Sequence, residues 1–390
     1  MTWSREIALL LDGTSVAPDA NQVLRMHEQI EQGVDWSALL RIAIPQGVLP
    51  LLSRNLTRNA MSVIPRTTLV QLQLYSRRVA ERNQEQSLEL AKLVSALSRD
   101  GFRVLPFKGP ALAAAFYGDI GIRECHDLDL WIDPSQSALA REWFLGAGYR
   151  PVQHVQGVPQ EVHHAEKEQE GFSSPDGRVL IEMKAHLERS RASRFDPPFE
   201  QVWNRRGHIS VHGVVMAVMA VEDLLPCLAV HGSKHLWRRL NWIVDIAAVL
   251  STLPEPDGGG MLSRAREWRC KRRLVIAVAL AAAFYGIEIP PAMSSMIEER
   301  AVRSAVARIR AELFAPKFHT LGSLGSDFVY GLRSSDSMSE RLRRARHFLG
   351  RIGRADEGRM LVPMSAEMRR VYGAFVTVRN WFGAADTKLQ

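Results

Sequence analysis

The sequence predicts an α+β protein in which a segment of interleaved strands and helices lies between N- and C-terminal helical regions. Three observations carry that expectation. Up to about Asp100, apolar residues recur at three- and four-residue spacing. Between about 102 and 215, short runs of period two alternate with helical runs, and beyond Glu222 the helical pattern returns. The expected units are a helical lobe over 1–100, a strand-bearing core over 101–215 and a helical bundle over 216–390.

Each element has a local reason. NQVLRMHEQIEQG, DWSALLRIAIPQGVLPLLSRNL and TTLVQLQLYSRRVAERNQEQSLELAKLVSALSRDG each line up one apolar face, and Asp100-Gly101 closes the last of them. FRVLPFKG then reads as a short strand, PALAAAFYG as a helix and HDLDLWID as a strand. PSQSALAREWFLGAG is a helix with Pro134 and Ser135 at its start, and YRPVQHV is a further strand. From about Glu161 to Leu187, EVHHAEKEQEGFSS and RVLIEMKAHL form a hairpin through Pro175, Asp176 and Gly177. The later helices fall in EDLLPCLAVHGSKHLWRRLNWIVDIAAVLSTL and, after the break PEPDGGG, in SRAREWRCKRRLVIAVALAAAFYG. LVIAVALAAAFYGIEIPP is too short to cross a membrane and reads as a buried helix ending before Pro290.

At 390 residues, 46% of them apolar, the chain can build more than one packed core. Its formal charge of +8 and pI of 9.7 favour an anionic partner: nucleic acid, an acidic membrane surface or a nucleoside triphosphate. Cys125, Cys227 and Cys270 are widely spaced and odd in number, which argues against a disulfide framework or a zinc ribbon. MTWSREIALLLDG lacks the form of a signal peptide and no run reaches the roughly 18 apolar residues of a membrane helix, so the cytoplasm is the expected location.

The chemistry concentrates between Phe107 and Lys184. On a strand, Asp127 and Asp129 share one face while Leu128, Leu130 and Ile132 share the other. Two carboxylates so placed raise each other's pKa unless a divalent cation stabilises both charges, and hard oxygen ligands suit magnesium or manganese. The plainer reading is a pair of solvent-facing aspartates on an edge strand. In RVLIEMKAHL, Glu182 lies on a mixed face with Lys184 and His186, opposite Val179, Ile181 and Met183. If the two strands are neighbours, Asp127, Asp129 and Glu182 form a cradle for two metals; otherwise Glu182 makes an ordinary salt bridge. Lys108 and Gly109 sit at a strand-to-helix junction, where a glycine lets backbone approach phosphate. Lys108 would supply a point charge there and Arg123 a planar donor fork.

This order of parts resembles the nucleotidyltransferase fold shared with DNA polymerase beta, and more closely its uncharacterised bacterial nucleotidyltransferase-like branch. The likeness rests on Lys108-Gly109, the helix with Tyr117, Arg123, the Asp127-Leu128-Asp129-Leu130 strand and IEMK around Glu182. It implies a mixed sheet of the polymerase-beta type and transfer of a nucleoside monophosphate to a hydroxyl with loss of pyrophosphate. Asp127 and Asp129 would be shared metal ligands, Glu182 the third ligand and base-side acid, and Gly109 the phosphate-binding glycine. Lys108, Arg123 and Lys184 fall with the nucleotide-binding positions. Two departures stand out: Pro110 follows the glycine where most members have glycine or serine, and Lys184 stands where nearer relatives often have histidine. HGSKHLWRRLNWIVDIAAVL matches a helical His...Trp...Asp signature of the nearer branch, so Lys234 or His235 would reach the triphosphate or acceptor from a lobe closing over the strands. Alternatively Trp237, Leu240, Trp242 and Ile243 pack that lobe, and His231, His235 and Asp245 make structural hydrogen bonds.

Other classes compete. The basic stretch from Arg341 to Arg354, with Tyr372, Trp381 and Phe382 as stacking rings, would suit a nucleic-acid-binding module. A protein of the same fold that binds nucleotide without transferring it is a third reading, suggested by Pro110. His154, His163, His164 and His186 make a poor zinc set, because His163 and His164 face opposite sides of a strand. The acceptor is unreadable from sequence: a sugar phosphate, an aminoglycoside-like molecule, a peptide side chain or an RNA end. ATP is the default donor.

Overall fold

A computed structural model describes residues 3–152, 169–187, 195–253, 258–315 and 321–354. Its centre is a five-stranded mixed sheet of β1 (Val104–Pro106), β2 (Leu128–Ile132), β3 (Arg150–Val152), β4 (Gln169–Ser173) and β5 (Leu180–Lys184), in the order β1-β2-β5-β4-β3. Only β2 and β5 run parallel. β2 is therefore an interior strand, which removes the edge-strand reading; Asp129 lies on it, whereas Asp127, expected on the strand, sits in the bend just before it. The expected β4–β5 hairpin forms, with Gly171 opposite Glu182.

The register decides what each face does. Asp129 stands opposite Glu182, and Leu128 and Leu130 stand opposite Ile181 and Met183. The apolar face packs on Leu90, Leu93, Val94 and Leu97 of the helix Arg66–Arg99 and on Phe144 of the helix Ser137–Gly146. Covering one face this way leaves the carboxylates on the other.

A second hairpin, β6 (Gly207–Val211) and β7 (Val214–Val218), was not singled out by the sequence pattern. Its turn places His212 at φ 50° and Gly213 at φ 78°, the left-handed pair a two-residue hairpin loop requires.

The first and last of the three expected units share a single core. Leu9, Leu39, Leu52 and Leu56 pack in one cluster with Ile243, Ile246, Leu274 and Ile276. Gln46 stitches them further, donating to the Leu313 carbonyl at 3.1 Å and accepting from the Leu240 N–H at 2.7 Å. The last turns before Asp100 belong instead with the sheet, so the long helix links both cores.

The buried helix expected before Pro290 is Lys271–Tyr285, closed by Gly286 in the left-handed region. In the helix Met338–Arg354, Arg344 turns toward Glu340, which Arg273 also grips, so part of the basic stretch pairs internally. Among the described residues no helix is long and apolar enough to cross a membrane. His154, His163, His164, Tyr372, Trp381 and Phe382 lie outside the described residues, and His186 pairs with Asp196 at 2.8 Å.

Candidate active site

β1 delivers the chain to Phe107-Lys108-Gly109, where the helix Gly109–Phe116 begins with Pro110 in its first turn, a place that needs no N–H. Gly109 has φ +58°, and a Cβ there would sit 3.2 Å from the Asp127 carbonyl. Both facts demand glycine, and together they set this helix start against the entry to β2. From the other side Asn83, fully buried on the long helix, donates to the Ile120 and Arg123 carbonyls at 2.8 Å each. The loop before Asp127 is thus held at both ends.

Two ammonium groups meet the carboxylates. Asp129 is 4% exposed; its Oδ1 is 2.5 Å from Lys184 Nζ and its Oδ2 is 2.9 Å from Lys108 Nζ. Lys184 Nζ also lies 3.0 Å from Glu182 Oε2. Both ammoniums stand over the Phe107 ring, at 4.9 Å for Lys108 and 5.5 Å for Lys184. Burial opposes the charge on Asp129, but the two lysines outweigh it and hold the carboxyl below the ordinary aspartate range. Asp127 is the contrary case. It has no ion-pair partner among the described residues, and burial, then the charges of Asp129 and Glu182, push it up to about 6.

A cavity of about 410 Å³ opens over these groups, and its other wall is helical. The helices Val221–Lys234 and Leu240–Ser251 are joined by a turn in which Leu236 and Trp237 have φ of 59° and 54°. What holds this strained turn is the Trp237 ring: it fills the space where a Cβ on Gly232 would stand, 2.4 Å away, and its Nε1 donates to Tyr330 at 2.9 Å. The turn presents Lys234, His235 and Arg239 to the cavity beside His231, Asn241 and Trp242. The His231, His235 and Trp242 rings cluster with centroids 4.7–5.6 Å apart, and Lys108 Nζ lies 3.4 Å from His231 Nδ1.

Arg123 lines the cavity, with its guanidinium already engaged. Its Nε and Nη2 bond both oxygens of Asp245, at 2.7 and 2.8 Å, and Tyr117 donates to the same carboxylate at 2.6 Å. In the structure this donor fork makes a buried cross-link between the loop before β2 and the helix Leu240–Ser251. On the helical wall Trp237 and Asp245 are buried and make structural contacts, while Lys234 and His235 line the cavity.

The three carboxylates line one cavity, yet among the described residues no three His, Cys, Asp or Glu side chains converge as a ready metal-ligand set. The reason is steric and electrostatic: the Lys184 ammonium stands between Asp129 and Glu182. A cradle of three acids sharing two metals therefore does not fit these side-chain positions. One cation beside Asp127 does, because that carboxylate has like charges around it and, among the described residues, no ion-pair partner, the Lys108 and Lys184 charges offsetting the repulsion only in part.

Several cavity residues escaped the sequence reading. Glu124 lies on the wall but is held by Arg82 and Tyr75, at 3.2 Å each, from the long helix. His126, Arg239 and Asn241 carry no spacing signal, whereas the run Arg-Glu-Cys-His-Asp ahead of Asp127 offered a hint of crowded charge.

No curated protein matches the chain. Among solved structures, a nucleotidyltransferase-like protein from Paracoccidioides brasiliensis, described as antigenic, aligns at 14% identity with a TM-score of 0.32, covering 57% of this chain and 93% of that one. The sequence pattern of the family described as "uncharacterised nucleotidyltransferase" matches residues 32–286, from just after the helix Ala20–Glu31 to Gly286 at the end of Lys271–Tyr285. That span is well over half of the chain and contains every cavity residue named above, so the protein belongs to this nucleotidyltransferase family.

Proposed function

We propose that the chain transfers a nucleoside monophosphate from a nucleoside triphosphate, ATP by default, to a hydroxyl group on its acceptor, with help from magnesium or manganese. The observation that carries this is Asp127: a carboxylate with no cation partner among the described residues, facing a cavity it shares with Asp129 and Glu182. A hard divalent cation there would relieve the repulsion among the acids and screen charge on the transferring phosphoryl group. Lys234, His235 and Arg239, on the opposite wall, meet the triphosphate, and Gly109 lets the helix start approach it. Trp242 offers a ring face to the base. Glu182, whose side chain is 19% exposed, accepts the proton of the attacking hydroxyl. The hydroxyl oxygen bonds to the α-phosphorus as the bond to the bridging oxygen breaks and pyrophosphate leaves. The acceptor class is left to the helical flanks, with the basic helix Met338–Arg354 suited to an RNA end.

One observation favours a second reading, nucleotide binding without transfer: both oxygens of Asp129 already hold ammoniums. Calorimetric titration of ATP, GTP, CTP and UTP with magnesium or manganese into wild type and Asp127→Asn tests the donor site. Metal-dependent binding lost in the variant supports it, and binding of no triphosphate by wild type overturns it. Pyrophosphate release on incubation with candidate acceptors then separates transfer from binding.

A further inference from the structure

We infer that Lys184 is a built-in substitute for one of two active-site cations, so that the site takes a single divalent ion. This rests on the donor-site reading above. The register of β2 and β5 sets Asp129 and Glu182 opposite each other, and an ion bridging them would occupy the space between Oδ1 and Oε2. The Lys184 ammonium is there, 2.5 Å from the first and 3.0 Å from the second. It arrives from the same face of the same strand as Glu182, two residues on, so the β5 backbone itself fixes the position.

Three further features argue that the ammonium stays. Lys184 is 4% exposed, and leaving would strand a charge in a buried wall or force β5 to shift. The Phe107 ring beneath it favours a cation at that spot. Asp129 is bound on its other oxygen by Lys108, so a metal bridging Asp129 and Glu182 would have to displace one ammonium and work against a second. Charge balance agrees. Three carboxylates and two ammoniums leave the wall with one net negative charge, enough for one divalent ion delivered with an anionic triphosphate. Lys184 thus supplies, as a fixed single charge, what a second metal would supply as a mobile double one.

Electron paramagnetic resonance with manganese and a non-hydrolysable triphosphate analogue tests this without any turnover. Two manganese ions roughly 3.5–4 Å apart give a spin-coupled spectrum, whereas one gives the simple six-line signal. Wild type should bind about one manganese per nucleotide complex with an uncoupled spectrum, and Lys184→Ala should bind about two, coupled. Lys184→Met, which keeps the bulk and removes the charge, is the control for folding: it and Lys184→Ala should both melt within a few degrees of wild type, so that a change in manganese count reads the site and not the fold. A coupled pair in wild type would overturn the inference while leaving the donor site standing. A single uncoupled ion in Lys184→Ala, with its fold intact, would also overturn it. No manganese–nucleotide complex in wild type would remove the donor-site reading and this inference with it.

Discussion

Two buried charge clusters, both tied to the segment from Lys108 to Asp129, use nearly the same residue types to opposite ends. In one, Arg123 meets Asp245 in a bidentate pair that Tyr117 completes, and every charge has its counterpart. In the other, Asp129 holds two ammoniums, Glu182 shares one of them, and Asp127 is left with like charges beside it. Both border the cavity of about 410 Å³, Arg123 from the first and the three acids from the second, but the donors of Arg123 are already taken by Asp245. Composition does not distinguish them. What does is the charge left over, since a buried pair that is complete serves architecture and an incomplete one invites a ligand.

The contrast is broken most severely at Asp245. Asp245→Ala leaves the Arg123 guanidinium buried without its partner, and urea denaturation should show a loss of about 3–5 kcal/mol. Asp127→Asn should do the reverse. Its stability should stay within about 1 kcal/mol of wild type, since the change removes a like charge and no pair. Its affinity for a metal–nucleotide complex should fall by about a hundredfold or more, because even residues that merely orient metal ligands are worth about 10–100-fold. Calorimetry on both variants would read the two clusters against each other.

Trp242→Ala, on the cavity's helical wall, should weaken nucleotide binding by about tenfold, the worth of one stacked base, without altering its dependence on metal. Fluorescence titration would measure it. Tyr117→Phe is the mildest change, costing about 1 kcal/mol for one hydrogen bond. It also has a pH signature. Burial, and then the charge of Asp245, raise the Tyr117 phenol well above its ordinary value. The stability it confers is complete below the ordinary tyrosine pKa of about 10 and is lost as pH rises above it, because only the unfolded chain ionises freely there. The variant should lose less stability than wild type over that alkaline window.

Local pattern carried much of this into view. The alternation at Asp127 and Asp129 put both acids off the apolar face, and RVLIEMKAHL placed Glu182 on a mixed face of its own strand. The adjacency of the two strands, which gives those acids a common cavity, is a long-range fact that the resemblance suggested and the register supplies. The pairing of Arg123 with Asp245 was not legible, because the partner is 122 residues away and no spacing rule reaches that far. Lys184 was visible as a departure from related sequences, but the position of its ammonium between two carboxylates depends on the β2–β5 pairing and the Phe107 ring below. The common core of the first and last helical regions was hidden for the same reason: periodicity shows that a helix has an apolar face and is silent on what covers it.

The claim that the open cluster is a metal–nucleotide site would be tested most directly by a crystal structure with manganese and a non-hydrolysable triphosphate, read by anomalous scattering. The account predicts one manganese peak, bonded to Asp127 and to phosphate oxygens, with the Lys184 ammonium still lying between Asp129 and Glu182. A bound triphosphate with no manganese at Asp127, or a manganese peak in the place of that ammonium, would contradict it.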